Sequence, residues 1–203
     1  MTQEKQTINF VLTGVGGQGT LFASNIIAET GWTLGYDVKK AEIHGLSQRG
    51  GSVVSNVRWG AQVFSPIVPI GYGDVMIAFE KLEALRSLNL IRPGGLVIVN
   101  DYSIVPVAVS AGSDIYPNDE KIQSGLQKVT QNIHWIKGMQ IAENLGSPQT
   151  VNVVLLGALS VWMETQPDPW LSAIQKLAKP KFQEINLKAF EEGRKNAKSQ
   201  NIT

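Results

Sequence analysis

The chain has 203 residues, a formal net charge of +1 and a hydrophobic fraction of 43%. That length suits one domain, or one with a small appendage, and the apolar content is enough to bury a core. The charge balance leaves no basic footprint for nucleic acid or an anionic membrane, and a chain without cysteine has no disulfide, no thiol nucleophile and no thiolate ligands for zinc or an iron–sulfur cluster.

The N-terminal MTQEKQT leads into an apolar run too short for a signal peptide. The longest later run, Val151 to Met163, is broken by Asn152, Gly157 and Ser160 and is too short to span a bilayer. A soluble, cytoplasmic protein is expected, in keeping with the absence of cysteine.

In chain order, "INFVLTG" (8–14) reads as a buried strand closing on glycine. The segment after the glycine turn carries Leu21, Phe22, Ile26, Ile27 and Trp32 at helical spacing, and "YDVKKAEI" (36–43) reads as a second strand. Together they make a βαβ unit. "GSVVSNVRWGAQVFS" (51–65) alternates, with a turn signal at Trp59-Gly60, and predicts a β-hairpin. "DVMIAF" (74–79) is a strand, "EKLEALRSLNLI" (80–91) an amphipathic helix stopped by Pro93-Gly94-Gly95, and "LVIVN" (96–100) a strand. "IVPVAV" reads as a further strand, "NDEKIQSGLQKV" as a helix capped by Asn118 or Asp119, and "NIHWI" (132–136) as the last strand. Helices follow over 138–145, 149–164, 168–178 and 181–197, jointed at Gly146-Ser147-Pro148 and Pro167-Asp168-Pro169. The pattern predicts an α/β fold. Its core, 1–136, is a Rossmann-like, doubly wound, mostly parallel sheet with a β-hairpin insertion, and 137–203 is helical.

Between the first strand and helix lies Gly14-Val-Gly16-Gly17-Gln18-Gly19-Thr20, with GxGxxG spacing. Glycines there let a ligand approach backbone, and the helix N-terminus offers free N–H groups to an anion. A dinucleotide would also need an acid at the end of the second strand, and Glu42 stands about where one is expected. The structural alternative is that the glycines serve only tight strand–helix packing. The next loop, His44-Gly-Leu-Ser47-Gln-Arg49-Gly50-Gly51, carries an arginine that either clamps a phosphate or carboxylate or pins the loop to backbone carbonyls. In an open α/β sheet both loops face one crevice at the carboxyl ends of the strands.

Other chemistry is sparse. His134, beside Trp135, reads as a packed residue and His44 as a loop histidine; two histidines so far apart make a poor metal site. Glu80-Lys81-Glu83 and Glu191-Glu192-Arg194-Lys195 read as solvated helix faces. No nucleophile elbow, Walker loop or carboxylate pair at a catalytic spacing is present.

"GVGGQGT" after the first strand, then "SQRGGSVVSNVR", "DVMIAFEKLEALR", "PGGLVIVN", "AENLGSPQTVNVVLLGALS" and "NLKAFEEG", in that order, resemble the gamma subunit or domain of the 2-oxoacid:ferredoxin oxidoreductases. The form most resembled is the small subunit of the indolepyruvate-oxidising members, which consists of this domain alone. The resemblance implies a single gamma-type domain over 1–203, in a complex that decarboxylates arylpyruvates to aryl-acetyl-CoA and passes electrons to ferredoxin. It implies that a large partner subunit carries thiamine diphosphate and 4Fe–4S clusters, that no cofactor is tightly held by this chain, and that the chain is inactive alone. Coenzyme A becomes the candidate ligand for Gly14, Gly16, Gly17, Gln18, Gly19, Thr20, Ser47, Arg49, Gly50 and Gly51. Trp162, Met163, Trp170 and Leu171 are then candidates for an apolar docking patch, unless they pack on the chain's own sheet. A homodimer in isolation is compatible with this reading. The alternative from another class is a free-standing Rossmann oxidoreductase that binds NAD or FAD itself; a pure binding module is a third.

Overall fold

The computed structural model describes residues 6–44 and 51–200. The chain opens with β1 (Ile8–Val15), α1 (Thr20–Thr33), β2 (Asp37–His44) and β3 (Ser52–Gly60). There follow β4 (Gly73–Ala78), α2 (Lys81–Arg86), β5 (Ile91–Asn100), the short α3 (Val107–Ser110), α4 (Asp119–Gln127) and β6 (Ile133–Ile136). Helices α5 (Gly138–Asn144), α6 (Val151–Trp162), α7 (Pro167–Leu177) and α8 (Gln183–Gln200) complete it.

The strands form one sheet in the order β2-β3-β1-β4-β5-β6. β1, β4, β5 and β6 pair in parallel, whereas β3 runs antiparallel between β1 and β2. Phe10 to Leu12 of β1 and Val75 to Ala78 of β4 are apolar on both faces because helices cover both there. Phe10, Leu12, Val75, Ile77 and Ile98 point into a core shared with α1 and α5 to α8, and Val11, Met76, Ala78, Val97 and Val99 into a second core closed by α2 and α4. Val151 to Ser160 of α6 are buried on every side, as an apolar helix between layers must be.

Three expectations need correction. Residues 51–65 are not a hairpin: β3 is a single strand, and Trp59 is not a turn residue but a fully buried one, 4.6 Å from Phe10 between ring centroids. The antiparallel hairpin here is β2–β3. The helix expected over 80–91 ends at Arg86; a 3-10 turn, Leu88–Leu90, leads into β5, and Pro93-Gly94-Gly95 lies inside that strand rather than ending the helix. "IVPVAV" is no strand, since Pro106 caps the four-residue α3. The remaining elements lie within a few residues of expectation, with Asn118 accepting from the Lys121 N–H as the cap of α4. Among the described residues no helix is long and apolar enough to cross a membrane.

Candidate functional site at the carboxyl end of the sheet

The loop between β1 and α1 turns on two glycines with positive φ, Gly17 at 104° and Gly19 at 79°. Gln18 is the brace. Its Oε1 accepts from the Val15 N–H at 2.7 Å and its Nε2 donates to the Phe79 carbonyl at 2.9 Å, which ties the loop to the end of β4. Asn152, at the start of α6, donates to the Gly19 carbonyl at 3.1 Å. Among the described residues nothing accepts the N–H of Gly17 or Gly19, and the first N–H groups of α1 have no partner within the helix. No acid stands in that first turn. The loop therefore places backbone donors beside the positive end of a helix, the kind of arrangement that receives an anion.

The second loop meets the first. The Gly16 N–H donates to the Gly51 carbonyl at 2.9 Å, and Val15 pairs with Ser52 across the β1–β3 ladder. Gly14, Gly16, Gly17, Gln18, Gly19, Thr20 and Gly51 are thus brought together. Ser47, Arg49 and Gly50 lie outside the described residues, as does the His44 side chain.

The dinucleotide alternative needs its acid on the strand beside β1. Here β3 occupies that place and displaces β2 by one further strand spacing, ~4.8 Å. Glu42 on β2 instead accepts from Lys40 at 2.8 Å and Ser24 at 3.5 Å.

The charged turn after β4 is not a solvated face. Glu80 is 1% and Glu83 2% exposed, and Lys81 is buried beside them. Glu80 caps α2 by accepting from the Glu83 N–H at 3.0 Å, and also accepts from the Ile104 N–H at 3.1 Å and from the Tyr116 hydroxyl. Burial together with the Glu80 carboxylate holds the Tyr116 phenol well above its usual range, in the protonated form. Lys81 pairs with Asp101 at 2.7 Å and Asp119 at 2.9 Å; burial lowers its pKa, and the two carboxylates outweigh that and raise it. Glu83 accepts from Ser52 at 2.5 Å and from Arg86 at 2.8 Å. Each buried charge holds a different segment at the carboxyl end. The available signal was position: the turn directly follows the carboxyl end of a buried parallel strand, where α/β sheets place their working loops. The Glu191–Lys195 cluster is mixed, with Lys195 exposed in an ion pair to Glu192 and Arg194 turned inward to the Ser160 hydroxyl at 2.5 Å.

Trp170 is fully buried, and Trp162, Met163 and Leu171 are half-buried against the same core, so this group is not an open docking patch. Trp162 stacks on His134 with ring centroids 3.9 Å apart, and burial lowers the pKa of that histidine. A groove of about 450 Å³ runs from Phe22 in the first turn of α1 to Phe182 and Ile185 at the α7–α8 junction. The described residues contain no cluster of three or more His, Asp or Glu suited to a metal.

A family model for pyruvate ferredoxin/flavodoxin oxidoreductase matches residues 9–196. The chain belongs to this family. Within it, the chain is 41% identical to the indolepyruvate oxidoreductase subunit IorB of Pyrococcus horikoshii, over 94% of this chain and 96% of that one. It is 42% identical to the IorB of Archaeoglobus fulgidus, over 92% and 93%. The fold is shared with the gamma subunit of a keto/oxoacid ferredoxin oxidoreductase from Geobacter sulfurreducens, with TM-score 0.73, 18% identity, and coverage of 96% of this chain and 98% of that one. It is also shared with 2-oxoglutarate:ferredoxin oxidoreductase from Magnetococcus marinus, a structure holding 2-oxoglutarate, coenzyme A and succinyl-CoA; the TM-score is 0.72 and identity 21%, over 97% of this chain and 32% of that chain. The α/β family fold, with its helical C-terminal region, is therefore the one this chain adopts.

Proposed function

We propose that this chain is the small, gamma-type subunit of an indolepyruvate:ferredoxin oxidoreductase, acting as one domain beside a large subunit that carries thiamine diphosphate and 4Fe–4S clusters. Identity above 40% to subunits of that name, over nearly the whole of both chains, carries the reading. The chain's own chemistry agrees with it. With no cysteine among the 203 residues, the thiolates that clusters require must come from the partner. In the overall reaction the 2-oxoacid loses CO₂, its acyl group passes to the thiol of coenzyme A, and two electrons pass to ferredoxin.

The part assigned to this chain is anion binding. The N–H groups of Gly17, Gly19 and Thr20 lie at the N-terminus of α1 on a turn of positive φ, which suits a phosphate of coenzyme A. Ser47, Arg49 and Gly50 complete the site in this proposal, with the arginine as the bidentate partner of the phosphate. The apolar groove beside Phe22 gives the rest of such a ligand a surface to lie on. The inserted β3 counts against the NAD or FAD alternative, because it removes the acid from the ribose position.

The test is co-expression with the large subunit and an assay of indolepyruvate-dependent viologen reduction with coenzyme A. Activity should require both chains, and Arg49→Ala should raise KM for coenzyme A without loss of assembly. Failure to assemble, with thermal stabilisation of this chain by NAD or FAD rather than coenzyme A, would overturn the reading in favour of an independent oxidoreductase.

A further inference from the structure

The glycine loop is bonded to Gly51, and the next residue, Ser52, is held by a buried carboxylate. Glu83 stands on α2 beneath the carboxyl end of β1, where Thr13 and Ser87 share a buried hydrogen bond of 2.7 Å. Its Oε2 accepts from the Ser52 hydroxyl, and its Oε1 from Arg86. Ser52 directly follows Gly51, whose carbonyl accepts the Gly16 N–H. A continuous series of contacts therefore runs from Glu83 through Ser52 and Gly51 to Gly16, and Gly16 adjoins Gly17, whose amide has no acceptor among the described residues. A carboxylate taken out of water is costly, and an apolar side chain of similar size would serve stability as well or better. Stability alone does not account for Glu83 at this place.

We propose that Glu83 is a positioning residue: through Ser52 it sets Gly51 against Gly16 and so aims the Gly17 and Gly19 amides at the anion. The inference rests on the reading that the glycine loop receives a phosphate of coenzyme A. The experiment uses the assembled complex with Ser52→Ala, Glu83→Met and the double variant. Ser52→Ala removes the link from an exposed position, so it tests the proposal even if Glu83→Met impairs folding.

In Ser52→Ala, KM for coenzyme A should rise about tenfold, the worth of one hydrogen bond to a charged group. The kcat and the KM for indolepyruvate should stay within about twofold, as befits a contact that orients only the coenzyme. The double variant should be no worse than Glu83→Met, because both changes cut one link. Ser52→Thr, which keeps the hydroxyl, should restore most of the affinity. Amide exchange of the 14–19 segment should speed up in Ser52→Ala. An unchanged KM for coenzyme A in Ser52→Ala, while Arg49→Ala raises it, would overturn the positioning role alone. So would equal losses in every parameter, or a fall in Tm only. If Arg49→Ala and Gly17→Ala also leave that KM unchanged, the coenzyme reading itself falls and takes this one with it.

Discussion

Gly17 and Gly19 both have positive φ, yet replacing them has different consequences. A Cβ on Gly17 meets none of the described residues, so Gly17→Ala costs the backbone strain, about 1–2 kcal/mol. A Cβ on Gly19 would strike the Asn152 amide, and the added overpacking brings Gly19→Ala to about 3 kcal/mol or more. Urea unfolding of the two variants should show that order. Near-equal losses would mean that Asn152 moves aside freely. His134 gives a pH-dependent test. Burial holds its pKa below the ordinary value of 6.5, so its neutral form is the one the fold favours. Its contribution is present above pH about 6.5 and is lost as pH falls from there through the lowered folded value. Stability measured between pH 7.5 and 5 should therefore decline less steeply in His134→Gln than in the parent. The same slope in both would assign the decline to other groups.

At the scale of elements, the α6–α8 contact decides most. Gly157 lies against the Phe190 carbonyl and Gly193 against the Val154 carbonyl, so the two helix backbones touch with no side chain between them. Gly157→Ala or Gly193→Ala should each destabilise by about 2–3 kcal/mol, the range for forcing volume into a packed core, read from the chemical midpoint of unfolding. A loss below about 0.5 kcal/mol, the level of a neutral surface change, would show that the helices can separate cheaply. This contact also explains the spacing Asn152 to Gly157: one end of α6 holds the glycine loop and, about a turn and a half on, α8 rests against the same helix. Elements with long, consistent periodicity were legible in the sequence, and so were α4 with its asparagine cap and the helices after Gly138. The hairpin misreading arose because alternation followed by Trp-Gly looks the same in a turn as in a strand whose tryptophan is buried among Phe10, Tyr36 and Trp170.

For the whole molecule, the distribution of exposed apolar side chains bears on assembly. Val107 is 83% and Ile115 87% exposed, on the segment that Glu80 holds at the carboxyl end of the sheet, through Ile104 and Tyr116. Phe64, Ile70 and Tyr72 are exposed in the connection from β3 to β4, at the opposite end. If the partner's active site meets the glycine loop, hydrogen exchange should slow over 102–116 when the large subunit binds, together with residues 14–20. Protection confined to 61–72 would place the contact at the other end and count against a shared site. A coenzyme-binding role would then have to be met by this chain alone.

The sequence by itself determined the α/β class, the order of most elements, the glycine loop and the glycine-rich segment after β2, and the family, because each is carried by local pattern or by an ordered set of motifs. Strand neighbours and the fate of charged groups were decided only in three dimensions. No local pattern says that β3 enters between β1 and β2, since that depends on which edge is free when the chain returns to the sheet. Nor does any pattern separate a solvated Glu-Lys-x-Glu turn from one buried at the carboxyl end of the sheet. The difference lies in partners far along the chain: Ser52, Asp101, Ile104, Tyr116 and Asp119 compensate charges that would otherwise remain in water.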